Sequence, residues 1–96
     1  MIESFDNRLT EELFFDRHSR LTRRFPSDLR RAARRKLQYL NDAVTLNDLR
    51  APPGNRLEAL RGVWSGYWSV RINDQWRMTF RWFRGLASDV AIVDYH

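Results

Sequence analysis

Two stretches of strict alternation, joined by three residues, constrain this chain more than anything else in it. In "YWSVRI", Trp68, Val70 and Ile72 alternate with Tyr67, Ser69 and Arg71; in "QWRMTFRWF", Trp76, Met78, Phe80 and Trp82 alternate with Arg77, Thr79 and Arg81. A period of two places each set on its own side of a strand. Both strands therefore have an apolar face and a polar, basic one. A hairpin turning through Asn73-Asp74 alone would set Arg71 opposite Trp76 and mismatch the faces, because a one-residue slip exchanges them. The three-residue loop Asn73-Asp74-Gln75 restores the match, with Ile72 facing Trp76, Val70 facing Met78 and Arg71 facing Arg77. Like charges directly opposed cost stability. An arginine pair on one sheet face is either splayed into water or part of an anion site, and the second reading is favoured here.

Around this hairpin, "RLEALRG" and "SDVAIVDY" read as further strands and the opening "MIESF" as a short first strand. "LTEELFFDR" reads as a helix capped by Asn7 or Thr10, "HSRLTRRFP" as a loop, and "DLRRAARRKLQYLNDAV" as the clearest helix, with Leu29, Ala32, Ala33, Leu37, Leu40 and Val44 on one face. Pro52-Pro53 force an extended connector, and Gly54-Asn55 permit a turn. Helices first and a strand meander afterwards predict an α+β fold: one small domain over residues 1–96, with two N-terminal helices packed on a mostly antiparallel sheet. The 96 residues leave room for a single core, of which a chain this size buries roughly 60–65% of its unfolded surface.

The charge is uneven. The formal net charge is +5, and sixteen of the seventeen basic residues are arginine, whose planar fork suits phosphate. Nine basic residues fall between Arg17 and Lys36, against the single acid Asp28. Nucleic acid is the leading partner, ahead of an acidic protein. On the long helix Arg30, Arg31, Arg34 and Arg35 lie off the apolar face; a solvated surface is the common fate of such a run, but the scarcity of acids favours contact with RNA phosphates. The absence of cysteine, and of any apolar run of signal-peptide or membrane length, leads to the expectation of a cytoplasmic protein with no membrane partner.

No phosphate-loop, dinucleotide or nucleophile-elbow motif occurs, so no cofactor is expected. The two histidines, His18 and His96, form no metal-binding pair, and His18 reads as a solvated loop residue. Cleaving RNA needs a group to deprotonate the ribose 2′-hydroxyl, a cation for the charge on the phosphate and an acid for the departing oxygen, and it needs no metal. A sheet face with Arg71, Arg77 and Arg61, meeting Asp94, Tyr95 and His96, supplies these types. The alternation puts Asp94 and His96 on one side of the strand and Tyr95 on the other.

The blocks "APPGNRLEALRG", "GYWSVRINDQWRMTFRW" and "DVAIVDYH", in that order, resemble the HigB branch of the RelE/ParE-type toxins of bacterial toxin–antitoxin systems. The resemblance implies the RelE/ParE-like α+β fold and a ribosome-dependent endoribonuclease, an mRNA-cleaving hydrolase acting during translation without metal. Its implied partners are the ribosome, mRNA and a HigA-like helix-turn-helix antitoxin. It matches Asp94, Tyr95 and His96 to the family's functional end and Arg77 to its strand arginine. Arg61 stands where another branch has a lysine, and Glu58 where that branch has a second catalytic histidine, so a two-histidine scheme does not carry over. The expected roles are His96 as base or acid, Asp94 orienting it, Tyr95 orienting RNA or assisting proton transfer, and Arg77 stabilising charge. The rival reading is a ParE-like toxin that binds DNA gyrase without cutting RNA; a non-toxic nucleic-acid-binding module is the third.

Overall fold

The computed structural model describes residues 1–51 and 54–95. Three helices, α1 (Arg8–Phe14), α2 (Arg20–Arg24) and α3 (Arg30–Asp42), precede four strands, β1 (Glu58–Ala59), β2 (Trp68–Arg71), β3 (Trp76–Phe83) and β4 (Leu86–Asp94). The strands form an antiparallel meander in the order β1-β2-β3-β4. Along β4, the opening residues bridge in parallel at Ile2–Ala87 and Phe5–Val90. The sheet is thus mostly antiparallel, as expected, although "MIESF" contributes two isolated bridges rather than a strand.

The expected hairpin register is the observed one: Val70 pairs with Met78 and Arg71 with Arg77. Asn73 closes its three-residue loop by accepting the Gln75 and Trp76 amides at 2.9 and 2.7 Å. Trp68, Val70, Ile72, Trp76, Met78 and Phe80 face the helices, where they pack with Leu13, Phe25, Ala33, Leu37, Leu40 and Leu49. Burial of these side chains, at roughly 1.5–3 kcal/mol for each large aliphatic or aromatic one, is what holds α3 on the sheet.

Between β3 and β4 the register shifts between Thr79 and Arg81: Thr79 pairs with Ala91, but Arg81 pairs with Ser88. The extra residue lies on β4, where Asp89 adopts φ 51°. Aspartate tolerates this left-handed conformation better than most residues. The bulge changes the parity of β4, so Ile92 and Val90 are followed into the core by Ala87 rather than Ser88.

Asn7 caps α1, accepting the Thr10 amide at 2.9 Å. The Thr10 hydroxyl, fully buried, donates to Asn7 Oδ1 at 2.6 Å and accepts the Ile92 amide at 2.8 Å. Local capping and helix–sheet docking thus share one oxygen.

Three further expectations need correction. The stretch "HSRLTRRFP" is not all loop, because Ser19 and Thr22 form a reciprocal capping box that starts α2. Val44 does not continue the apolar face of α3; the helix ends at Asp42, Ala43 turns extended, and Val44 is 76% exposed. "RLEALRG" pairs only at Glu58 and Ala59, after which Gly62 and Gly66, at φ 67° and 95°, bend the chain through a 3₁₀ turn over Gly62–Trp64.

Candidate active site

The site is on the sheet face turned away from the helices. Alternation sends Ser69 and Arg71 of β2, Arg77 and Thr79 of β3, and Ala91 and Val93 of β4 to this side, and Tyr95 follows in phase. Ser69 and Thr79 are nonetheless buried. The β1–β2 connection bends over them: Leu60, Arg61 and Trp64 line a cavity of about 440 Å³ together with Thr79, Val93, Asp94 and Tyr95.

Arg77 lies at the heart of this face, with its side chain only 13% exposed. Its guanidinium carbon stands 4.9 Å from the centre of the Tyr95 ring, a cation–π arrangement. Nη1 is 3.9 Å from Glu58 Oε1, an ion pair too long for a hydrogen bond. Nε and Nη1 are buried and make no hydrogen bond among the described residues. A charged fork therefore sits in place with unused donors.

The opposed arginines do not simply splay into water. Arg71 donates to Asp74 Oδ1 at 2.5 Å, in the hairpin loop, and this contact holds the Asp74 carboxyl below its usual range. Arg77 is left with Glu58. Each cation thus has an acid of its own, and Arg77 keeps two donors that make no hydrogen bond among the described residues.

Of the other expected residues, Tyr95 meets Arg77 directly, and Arg61 lines a second, adjoining cavity with Tyr95 and Glu58. Asp94 does not face Arg77. It pairs with Trp76, one residue out of phase with Tyr95, and accepts the Gln75 side-chain amide at 2.9 Å. His96 lies outside the described residues. Arg30, Arg31, Arg34 and Arg35 come together, but elsewhere: with Arg17, His18, Glu12 and Asp16 they line a cavity of about 560 Å³ in the helical layer. Arg34 reaches Asp16 at 3.8 Å. Lys36, from the same basic run, instead turns inward and donates to the buried Asn55 side chain; burial first, then Arg35 and Arg71, lower its pKa.

Two features of the face were not legible beforehand. One is the Glu58–Arg77 contact, which joins residues on strands separated by β2. The other is an aromatic group, Trp64 edge-on to Tyr67 at 5.3 Å, with Arg81 over the Tyr67 ring at 4.6 Å. The string "VWSGYW" was the available signal.

The family model described as "RelE-like toxin of type II toxin-antitoxin system HigB" matches residues 3–96. The chain belongs to the HigB-like toxin family. This HigB-like toxin is 40% identical over 89 residues to Toxin HigB-1 of Vibrio cholerae serotype O1, covering 91% of this chain and 90% of that one. It is 33% identical over 61 residues to Endoribonuclease HigB of Proteus vulgaris, covering 64% of this chain and 65% of that protein. Among solved structures, the YoeB–YefM complex from Staphylococcus aureus matches with a TM-score of 0.61 at 17% identity, over 100% of this chain and 98% of that one. YafQ from E. coli strain BL21(DE3) matches with a TM-score of 0.58 at 16% identity, over 99% and 92%. The last two likenesses concern the fold, which is the RelE-like α+β fold expected. As a type II toxin this HigB-like protein has an antitoxin as its partner. These comparisons give no support to the gyrase-binding alternative. Among the described residues no helix is long and apolar enough to cross a membrane.

Proposed function

We propose that this toxin is an endoribonuclease that cuts mRNA on the ribosome without a metal ion. The observation that carries the reading is the buried Arg77, with two donors making no hydrogen bond among the described residues, stacked on Tyr95, which lines a cavity with Arg61. In the reaction the ribose 2′-oxygen attacks the adjoining phosphorus, the P–O5′ bond breaks, and a 2′,3′-cyclic phosphate is left. One proton leaves the 2′-hydroxyl and one is delivered to O5′. Arg77 meets the charge that develops on the phosphate oxygens, where a preorganised donor is most effective. Tyr95, held by Arg77, orients the RNA or assists proton transfer, and Arg61 binds backbone phosphate. His96 transfers a proton, with Asp94 as its orienting partner. Glu58, the carboxylate beside Arg77, is placed to take up the second proton-transfer role that a lone histidine leaves open.

The four α3 arginines lie away from this face, which suits a separate grip on ribosomal RNA while the sheet face reaches the message. A host that positions the substrate compensates for a sparse catalytic set. The antitoxin is of the HigA-like helix-turn-helix type, and the compartment is the cytoplasm. Mapping mRNA 3′ ends in a reconstituted translation reaction tests this reading, with the full chain, a chain lacking only His96, and Glu58→Gln. Cuts at defined positions within codons are expected from the full chain and with ribosomes only, lost without His96 and slowed about 100-fold or more in Glu58→Gln. Intact mRNA from folded full-length protein refutes the reading.

A further inference from the structure

Trp64 stands at the mouth of the active-site cavity with no catalytic duty, 47% exposed, yet it is not loose. Its ring meets Tyr67 edge-on, at 5.3 Å and 85°. Its carbonyl accepts the Tyr67 amide at 3.0 Å, closing the turn that Gly62 begins. Tyr67 is itself held by Arg81, which lies over the ring and pairs with Asp89 at 3.5 Å on the bulge of β4. A chain of contacts thus runs from the sheet to an indole left half in water.

An exposed tryptophan alone signifies little. Here three facts narrow its use. The cavity it lines also holds the cationic Arg61, and Tyr95 in its wall is stacked on Arg77. The other aromatic of that cavity, Tyr95, is already engaged by the Arg77 guanidinium. A flat, preordered π surface beside cationic groups is the arrangement that holds single-stranded nucleic acid, with bases stacked on aromatic rings and the backbone on arginine.

We propose that Trp64 is the stacking platform for an unpaired base of the mRNA next to the scissile phosphate. This rests on the reading of the site as an RNA-cleaving one. Stacking reads ring area rather than hydrogen-bonding edges, so the platform favours a purine over a pyrimidine at the stacked position without specifying which purine.

The test is single-turnover cleavage of mRNA on programmed ribosomes, varying each nucleotide of the A-site codon between purine and pyrimidine. The proteins are the wild type, Trp64→Phe, Trp64→Leu, Trp64→Ala and Arg77→Ala. Trp64→Phe should cut nearly as fast as the wild type, whereas Trp64→Leu and Trp64→Ala should be slower by roughly 10- to 100-fold. The loss should be larger for a purine at one codon position. Wild-type rate and codon preference in Trp64→Leu overturn the proposal. So does an equal slowing of all three variants on every codon, which marks a merely structural residue. Since leucine fills much of the space of the ring, the Trp64→Leu result stands even if Trp64→Ala fails to fold. Cleavage by the wild type and not by Arg77→Ala isolates a failure at Trp64 from a failure of the nuclease reading. Absence of cleavage by the wild type removes both.

Discussion

Replacing Arg77 with methionine should make the protein more stable while abolishing its activity. The Nε and Nη1 donors of Arg77 are buried and form no hydrogen bond among the described residues, and each such group costs about 1–3 kcal/mol. Against this stand two favourable contacts. The pair with Glu58 is long, at 3.9 Å, and its carboxylate side is more than half exposed, so it contributes no more than about 1 kcal/mol. The stack on Tyr95 contributes roughly 0.5–1 kcal/mol. Methionine follows the same path, keeps an aromatic contact and brings no donor. Two donors cost about 2–6 kcal/mol together and the two contacts return at most about 2, so the balance is a gain of up to several kcal/mol, and each kcal/mol raises the melting temperature of a domain this size by roughly 4–8 °C. Thermal unfolding followed by circular dichroism reads that shift, and mRNA 3′-end mapping reads activity, expected to fall at least about 100-fold. Stability given up for function is a common feature of active sites. A melting temperature lowered by several degrees would refute the reasoning, since Arg77 would then be a structural anchor rather than a group kept at a cost in stability.

Changing Arg30, Arg31, Arg34 and Arg35 together to Gln should weaken ribosome binding and flatten its dependence on salt, because released counterions set that slope; unchanged co-sedimentation across a salt series would show the run to be a solvated surface. Thr10→Val, nearly isosteric, removes the oxygen shared by the Asn7 cap and the buried Ile92 amide. It should destabilise by about 1–3 kcal/mol in urea titrations, with the transition midpoint lowered and its slope unchanged. Asp48 accepts the Val44 and Thr45 amides at 2.9 and 3.0 Å, and these bonds, Thr45 first, depress its pKa. A depressed carboxylate stabilises the fold above its unfolded value of 3.8 and loses that effect as pH falls through the lower folded value. Stability measured below pH 4 should therefore fall less steeply in Asp48→Asn than in the wild type, and identical acid limbs would count against the cap.

The parts of the structure governed by near neighbours were open to reading from the chain. Alternation over residues 67–83 and an odd loop were sufficient for the hairpin register, because side-chain parity in a strand follows from backbone geometry alone. The helical period placed Ala33, Leu37 and Leu40 in the core. The same periodicity failed at Val44, where the helix had already ended, and the short helix α2 depends on the Ser19–Thr22 capping box rather than on an apolar period.

What the linear chain determined, then, was which residues belong to each face of each element, along with the inventory of arginines, acids and aromatics available to the site. Tertiary structure decided which of them meet. Glu58 reaches Arg77 because β1 and β3 flank β2; Asp89 takes the left-handed conformation because β4 must change parity to bury Ala87; and Leu60, Arg61 and Trp64 arrive over the sheet because two glycines bend the β1–β2 connection. Tertiary structure also separated two groups that charge alone would merge, leaving the α3 arginines in the helical layer and Arg77 on the opposite side of the sheet. The reason is physical: parity and helical period are properties of adjacent residues, whereas a site is a meeting of distant ones, set by how the buried faces dock. In this toxin that docking left a charged fork with free donors beneath a tyrosine ring.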